Sequence, residues 1–174
     1  MLPPVLRDFF DRNFPGDYSP KSVISRLDRH GIDKTVILAL DWARSHHVKA
    51  LSNEYVAELV QEYRDRFIGF ASVDPLKGEA AADELEFAIS DLGLRGLKLG
   101  PAIQLFYPNE QRCLPVYKRA EDLQIPILFH GGWTGFPNTS VKFGYPLFLD
   151  DVAMHFPKLS IIVAHLGGGF SERC

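Results

Sequence analysis

The chain has 174 residues, 46% of them hydrophobic and 24% charged, with a formal net charge of -3. That length suggests one domain with a substantial core, and the charge balance argues against broad electrostatic binding to nucleic acid or anionic membrane. No apolar run approaches the roughly 20 residues that span a bilayer, Met1 to Pro4 shows no leader pattern, and Cys113 and Cys174 form no metal cluster or disulfide framework, so a reducing, cytoplasmic setting is expected.

Residues 1–18 carry no regular pattern. Ser19 and Pro20 then read as the N-cap and first residue of a helix, with Val23, Ile24 and Leu27 as its apolar stripe and Gly31 as its stop. The run DKTVILAL (33–40) follows as a strand. Ser52 caps a second helix carrying Tyr55, Val56, Leu59, Val60 and Tyr63 at spacings of three and four. RFIGFASV (66–73) is the second strand, and a helix from about Glu79 to Leu92 ends at Gly93. LRGLKLG (94–100) is the third strand. A helix spans about Glu110 to Leu123, with Pro115 near its first turn. IPILFHGG (125–132) is the fourth strand. A last helix covers about Tyr145 to Phe156, Pro157 prevents its continuation, and LSIIVAHLGG (159–168) is the fifth strand. The stretches 101–109 and 131–145 read as irregular.

The strand runs begin near Lys34, Phe67, Gly96, Pro126 and Ser160. They are continuous rather than alternating, as in a parallel sheet buried on both faces. Alternating strands and helices imply right-handed crossovers. A closed eight-stranded barrel and an open doubly wound sheet both satisfy this pattern. No Gly-x-Gly-x-x-Gly follows the first strand, which weakens the dinucleotide-binding version.

His130 and His165 each close an apolar run, and each is followed by glycines. One histidine ending a strand is ordinarily a hydrogen-bonded core residue. Two at matching ends of consecutive parallel strands, about 4.8 Å apart, can share a pocket. Imidazole there can bind a metal or transfer protons near neutral pH. Lys98 lies inside an otherwise apolar strand, where an ammonium ion is costly to bury. It is expected to pair with a carboxylate, orient a substrate anion, become carboxylated, or else reach solvent at the strand end. His46 and His47 are expected in a solvated loop. Trp42, Phe106 and Trp133, with Tyr107 and Phe136, are candidates to wall a small-molecule pocket, or else ordinary loop packing. Gly167 to Gly169 would cradle an anion only if a helix followed them.

The motifs GLRGLKLGP (93–101), IPILFHGG (125–132) and IIVAHLGGGF (161–170) resemble the amidohydrolase-related family, which includes amino-carboxymuconate-semialdehyde decarboxylase and the resorcylate decarboxylases. The resemblance runs from about Ser19 to Phe170. It implies an incomplete α/β fold of the (β/α)8 TIM-barrel type, with strands two to six and their helices. The chain would be a single partial domain over 1–174 with its core at 19–170. It further implies a metal-dependent hydrolase acting on a small organic acid, lactone or amide, or alternatively a non-oxidative decarboxylase. His130 would be a metal ligand, His165 a catalytic residue, Lys98 the strand-four Gly-x-Lys-Leu position, and zinc the expected divalent ion.

The family's strand-one His-x-His or Glu-x-His has no counterpart, since residues 1–18 contain no histidine, and no strand-eight aspartate follows. Strands one, seven and eight are therefore expected to be missing from a barrel of roughly 250 residues. Exposed strand edges would favour self-association as a homo-oligomer. A catalytically inactive fragment acting through association is the non-enzymatic expectation. A small-molecule substrate is expected as partner, with neither nucleic acid nor membrane.

Overall fold

Five short parallel strands form within the five apolar runs. The computed structural model describes residues 4–48 and 51–168; Gly169, Phe170 and Cys174 lie outside them. In chain order the elements are α1 (Pro4–Asn13), α2 (Pro20–Arg29), β1 (Thr35–Leu38), α3 (Ala43–His46), α4 (Asn53–Glu62), β2 (Phe67–Phe70), α5 (Glu79–Ser90), β3 (Leu97–Leu99), α6 (Pro101–Gln104), α7 (Leu114–Asp122), β4 (Ile127–Phe129), α8 (Phe148–His155) and β5 (Ile161–Val163). Among the described residues no helix is long and apolar enough to cross a membrane.

Spatial order follows chain order. β1 pairs with β2, and β3, β4 and β5 pair in sequence, all parallel. An isolated parallel bridge from Ala71 to Leu97 joins the two groups, with the Lys98 N–H donating to the Ala71 carbonyl. A doubly wound sheet would reverse its strand order at a switch point. Here the winding never reverses, so the architecture is an incomplete TIM-type barrel rather than an open doubly wound sheet.

Strand alternation divides the side chains into two rows. Leu97, Leu99, Ile127 and Phe129 are fully buried among the helices, each such burial contributing roughly 1.5–3 kcal/mol. Val36 aligns with Ile68, and Lys98 with Leu128 and Ile162, on the opposite, concave side. That side is open at its flanks, where Val36 is 41% and Ile162 46% exposed. Gly69 belongs to the helix-facing row: a Cβ there would lie 2.5 Å from a Leu94 methyl. Only a residue without a side chain lets β2 and its helices approach so closely.

Local signals act where they were read. The Ser19 hydroxyl accepts the Ser22 N–H at 3.4 Å, and the Ser52 hydroxyl accepts the Tyr55 N–H at 3.2 Å. Other segments differ from expectation. Residues 4–13, too short to show a period unaided, are helical as α1. The segment 101–109 contains the single turn α6. The fourth helix starts as a 3₁₀ turn (Gln111–Cys113) before Pro115 enters α7, and the last helix starts at Phe148 instead of Tyr145. In both, proline lacks an N–H and suits only a first turn.

The main core is built from β2 to β4 and helices α4, α5 and α7, with Leu85, Leu94, Val116 and Tyr117 fully buried. The Tyr117 hydroxyl donates to the Pro108 carbonyl at 2.8 Å, so its one polar atom is satisfied inside. A second, smaller cluster joins Val48 and Phe136 to Phe9, Phe10, Trp42 and Ile103. It ties α1 to the loops that follow β1 and β4.

Candidate active site

The carboxyl ends of all five strands open on one face, where a parallel barrel carries its chemistry. His130 directly follows β4, and its N–H donates to the Leu99 carbonyl of β3 at 2.8 Å. His165 follows β5 inside a 3₁₀ turn (Ala164–Gly167). The two imidazole centroids are 4.9 Å apart, with the rings inclined at 64°. The structure thus brings together the two histidines that the sequence placed at equivalent strand ends.

Backbone strain helps set that approach. His165 and Leu166 have φ of 60° and 51°, and Gly167 follows at 70°. Three successive left-handed residues turn the chain sharply, and the two non-glycine residues each cost on the order of 1 kcal/mol or more. Leu166 is thrown outward by the turn and is 87% exposed. The residues after Gly168, where the anion-cradle expectation would need a helix, lie outside the described residues.

His130 Nε2 lies 3.1 Å from the Trp133 carbonyl oxygen. A carbonyl only accepts, so Nε2 carries the proton and Nδ1 keeps its lone pair. Burial lowers the His130 pKa, the Lys98 charge lowers it further, the Trp133 bond opposes this, and His165 adds a lowering contribution. His130 is therefore held neutral near pH 7, the form that binds metals or accepts a proton.

Lys98 stands on the concave side of β3. Burial alone lowers its pKa to about 8. A displacement from 10.5 to about 8 corresponds to about 3 kcal/mol of cost for keeping the ammonium charged at neutral pH.

A polar clamp that the sequence reading missed holds the loops of β1, β2 and β3. The Gln104 amide donates to the Asp41 carbonyl at 3.0 Å and the Val73 carbonyl at 2.8 Å, and its oxygen accepts the Gly100 N–H at 2.8 Å. Arg44 pairs with Asp74 at 2.7 Å and donates to the Gln104 carbonyl. Asn53 exchanges two hydrogen bonds with the Ser72 backbone. Nothing in a loop glutamine announces such a role, since its three partners come from three different strand ends.

His46 departs from the solvated loop expected of it. It is buried in α3, with Nε2 2.9 Å from the Ile103 carbonyl oxygen and its ring edge-on to Phe136 at 5.3 Å. Trp42, Phe136 of the β4 loop and the Ile103 carbonyl of α6 surround the ring. Its neighbour His47 is exposed. Of the aromatic candidates, Trp42 is half-buried beside Phe136, Trp133 is 70% exposed, and Phe106 is fully buried in the main core. Phe106 packs the core rather than walling a pocket, because α6 folds the supposed loop back onto the strands.

The described residues do not complete a metal site. Two adjacent imidazoles are a sound partial donor set, yet zinc-type sites use three or four protein ligands, and no group of three or more His, Cys, Asp or Glu side chains is assembled among the described residues.

The family model described as Amidohydrolase matches residues 15–172. The chain belongs to the amidohydrolase family. It is 24% identical over 176 residues to the 2-amino-3-carboxymuconate-6-semialdehyde decarboxylase of Dictyostelium discoideum, covering 88% of this chain and 49% of that protein. Among solved structures, a TIM-barrel protein of Bordetella bronchiseptica superposes with a TM-score of 0.72 at 24% identity, covering 88% of this chain and 53% of that one. A dihydroxybenzoic acid decarboxylase from Polaromonas sp., solved with manganese and the inhibitor 2-nitroresorcinol, gives a TM-score of 0.68 at 20% identity, covering 95% of this chain and 63% of that one. These likenesses establish the amidohydrolase-type barrel. The chain spans about half the length of the curated relatives it matches.

Proposed function

We propose that this chain carries part of the active site of a non-oxidative decarboxylase acting on a small carboxylic acid. The observation that carries the reading is the imidazole pair, 4.9 Å apart at the ends of adjacent parallel strands. Decarboxylase relatives favour carbon–carbon cleavage over the hydrolysis that the family name suggests.

The chemistry asks for few groups. Breaking the carbon–carboxylate bond releases carbon dioxide and leaves an electron pair on carbon, which must take up a proton. His165 donates that proton to carbon, and solvent restores it. The neutral His130 ring, fixed through Nε2, keeps the Nδ1 lone pair as its donor atom. A divalent ion of the manganese or zinc class would take His130 as one ligand and supply Lewis-acid polarisation when bound. The remaining ligands of such an ion would come from outside the described residues.

The test combines product analysis with two substitutions. 2,6-Dihydroxybenzoate and manganese are incubated with the protein, and carbon dioxide release is compared with hydrolysis of an aryl ester, lactone or amide. Carbon dioxide release is expected, lost in His130→Ala with its metal uptake and lost in His165→Ala with metal uptake retained. Full activity in both variants would end the proposal.

A second reading rests on the missing third metal donor among the described residues and on the exposed flanks at Val36 and Ile162. The chain then acts, if at all, by associating with another copy or a paralogue. Stoichiometric metal in the purified protein at neutral pH excludes it.

A further inference from the structure

The geometry points to Lys98 as an anion anchor: its ammonium group, on the concave side of β3 and one residue pair below His130, holds the carboxylate of a small, apolar-bodied acid. This deepens the decarboxylase reading and rests on it for the substrate's chemical class.

Three observations converge on this role. The first is an absence of counter-charge among the described residues. Among the described residues, the Lys98 ammonium has no hydrogen bond and no ion pair. The acidic groups near the strand ends are committed elsewhere. Asp74 pairs with Arg44, while Asp41 and Glu84 both face Lys77 at 3.5 and 3.7 Å. A largely buried ammonium ion without a partner is a costly arrangement that a bound anion would relieve.

The second observation is placement. Lys98 aligns with Leu128, and His130 lies two residues further on, just past β4, where its N–H continues the pairing with β3. The Lys98 charge contributes to the low pKa of His130, so the two groups feel each other directly. An anion held by Lys98 therefore lies within the field of the imidazole pair, where the group to be cleaved has to be.

The third is the character of the neighbouring wall. Phe70, Leu128 and Ile162 share the concave side with Lys98, and the Ala71–Leu97 bridge sets Ser72 beside it, just past β2. One ammonium among mostly apolar side chains balances one negative charge and offers an apolar surface to the rest of the molecule. That suits a monoanionic carboxylate on a hydrocarbon or aromatic body. A phosphate dianion would call for several donors or a second cation.

The experiment measures equilibrium binding of sodium benzoate to the full chain at constant ionic strength, with a chelator present so that no metal takes part. Benzyl alcohol serves as the uncharged analogue and inorganic phosphate as a competing anion. Lys98→Met should weaken benzoate binding by about tenfold or more while leaving benzyl alcohol within about twofold, and Lys98→Arg should recover much of the loss. Thermal denaturation verifies that Lys98→Met is folded, and Lys98→Gln replaces it if it is not. Equal benzoate affinity in wild type and Lys98→Met overturns the assignment. So does failure of the wild-type chain to bind benzoate, or a preference for phosphate. The result is separable from the decarboxylase reading. Charge-dependent benzoate binding without carbon dioxide release removes the reaction and keeps the anchor. Carbon dioxide release with KM unchanged in Lys98→Met does the reverse.

Discussion

Gly132 and Gly168 meet backbone to backbone: a Cβ on Gly132 would lie 2.3 Å from the Gly168 carbonyl oxygen, and the Trp133 N–H donates to that same oxygen at 3.3 Å. Gly132 also has φ of +90°, a conformation that L side chains rarely adopt. The loops bearing His130 and His165 are therefore held together through glycine. Gly132→Ala should wedge them apart and cost about 1–3 kcal/mol, read as a lower urea midpoint. His130 and His165 ring resonances should shift together in the same variant. A variant as stable as wild type, with both rings unmoved, would show that the close glycine contact does not set the site.

The buried ammonium of Lys98 makes stability depend on pH in the alkaline range. Its folded pKa of about 8 lies below the ordinary 10.5, so the unfolded chain binds the proton more tightly. The cost is absent above about pH 10.5, grows as pH falls toward 8, and is complete below that. The anion-free protein should gain stability between pH 8 and pH 10 relative to Lys98→Met, which lacks the group. At pH 7 Lys98→Met should be the more stable by about 1–3 kcal/mol, allowing for relaxation around the charge. Denaturant titrations of both proteins at pH 7 and pH 9.5 decide this, and parallel behaviour would contradict it.

Acid should loosen the aromatic cap. His46 has its pKa lowered, by burial first, against the opposing Ile103 hydrogen bond, with His47 adding to the lowering. The neutral ring is thus favoured in the folded state. That contribution is complete above the ordinary histidine value of 6.5 and is lost as pH falls through the lower folded value. Trp42 stands 6.4 Å from the His46 ring, and it is one of two tryptophans in the chain. In a Trp133→Phe background, Trp42 fluorescence should change as pH drops below 6.5, and His46→Gln should abolish the change. A flat response down to pH 5 would mean that His46 titrates without disturbing its neighbours.

Much of this site was legible before folding because its key residues end regular elements. His130 and His165 follow continuous apolar runs, and a parallel sheet converts equivalent chain positions into spatial neighbours. Lys98 was conspicuous as one charge in an apolar strand. The burial of His46 and Phe106 was not legible. Each lies in a stretch between strands, where exposure depends on which other segment packs on top. The β4 loop, through Phe136, and α6, through the Ile103 carbonyl, meet His46, while α6 turns Phe106 inward. Gln104 escaped for the same reason, as its value lies in three backbone groups supplied by segments up to 63 residues away.

The sequence by itself determined the order of strands and helices, the caps at Ser19 and Ser52, and which side chains stand at the strand ends, because hydrophobic periodicity and capping act over a few residues. Tertiary structure alone decided that the winding does not reverse, that the two imidazoles approach to 4.9 Å, and that the Lys98 charge lies among mostly apolar side chains without a partner among the described residues. Those outcomes depend on backbone contacts between loops distant in the chain, and no local pattern encodes which loops will meet.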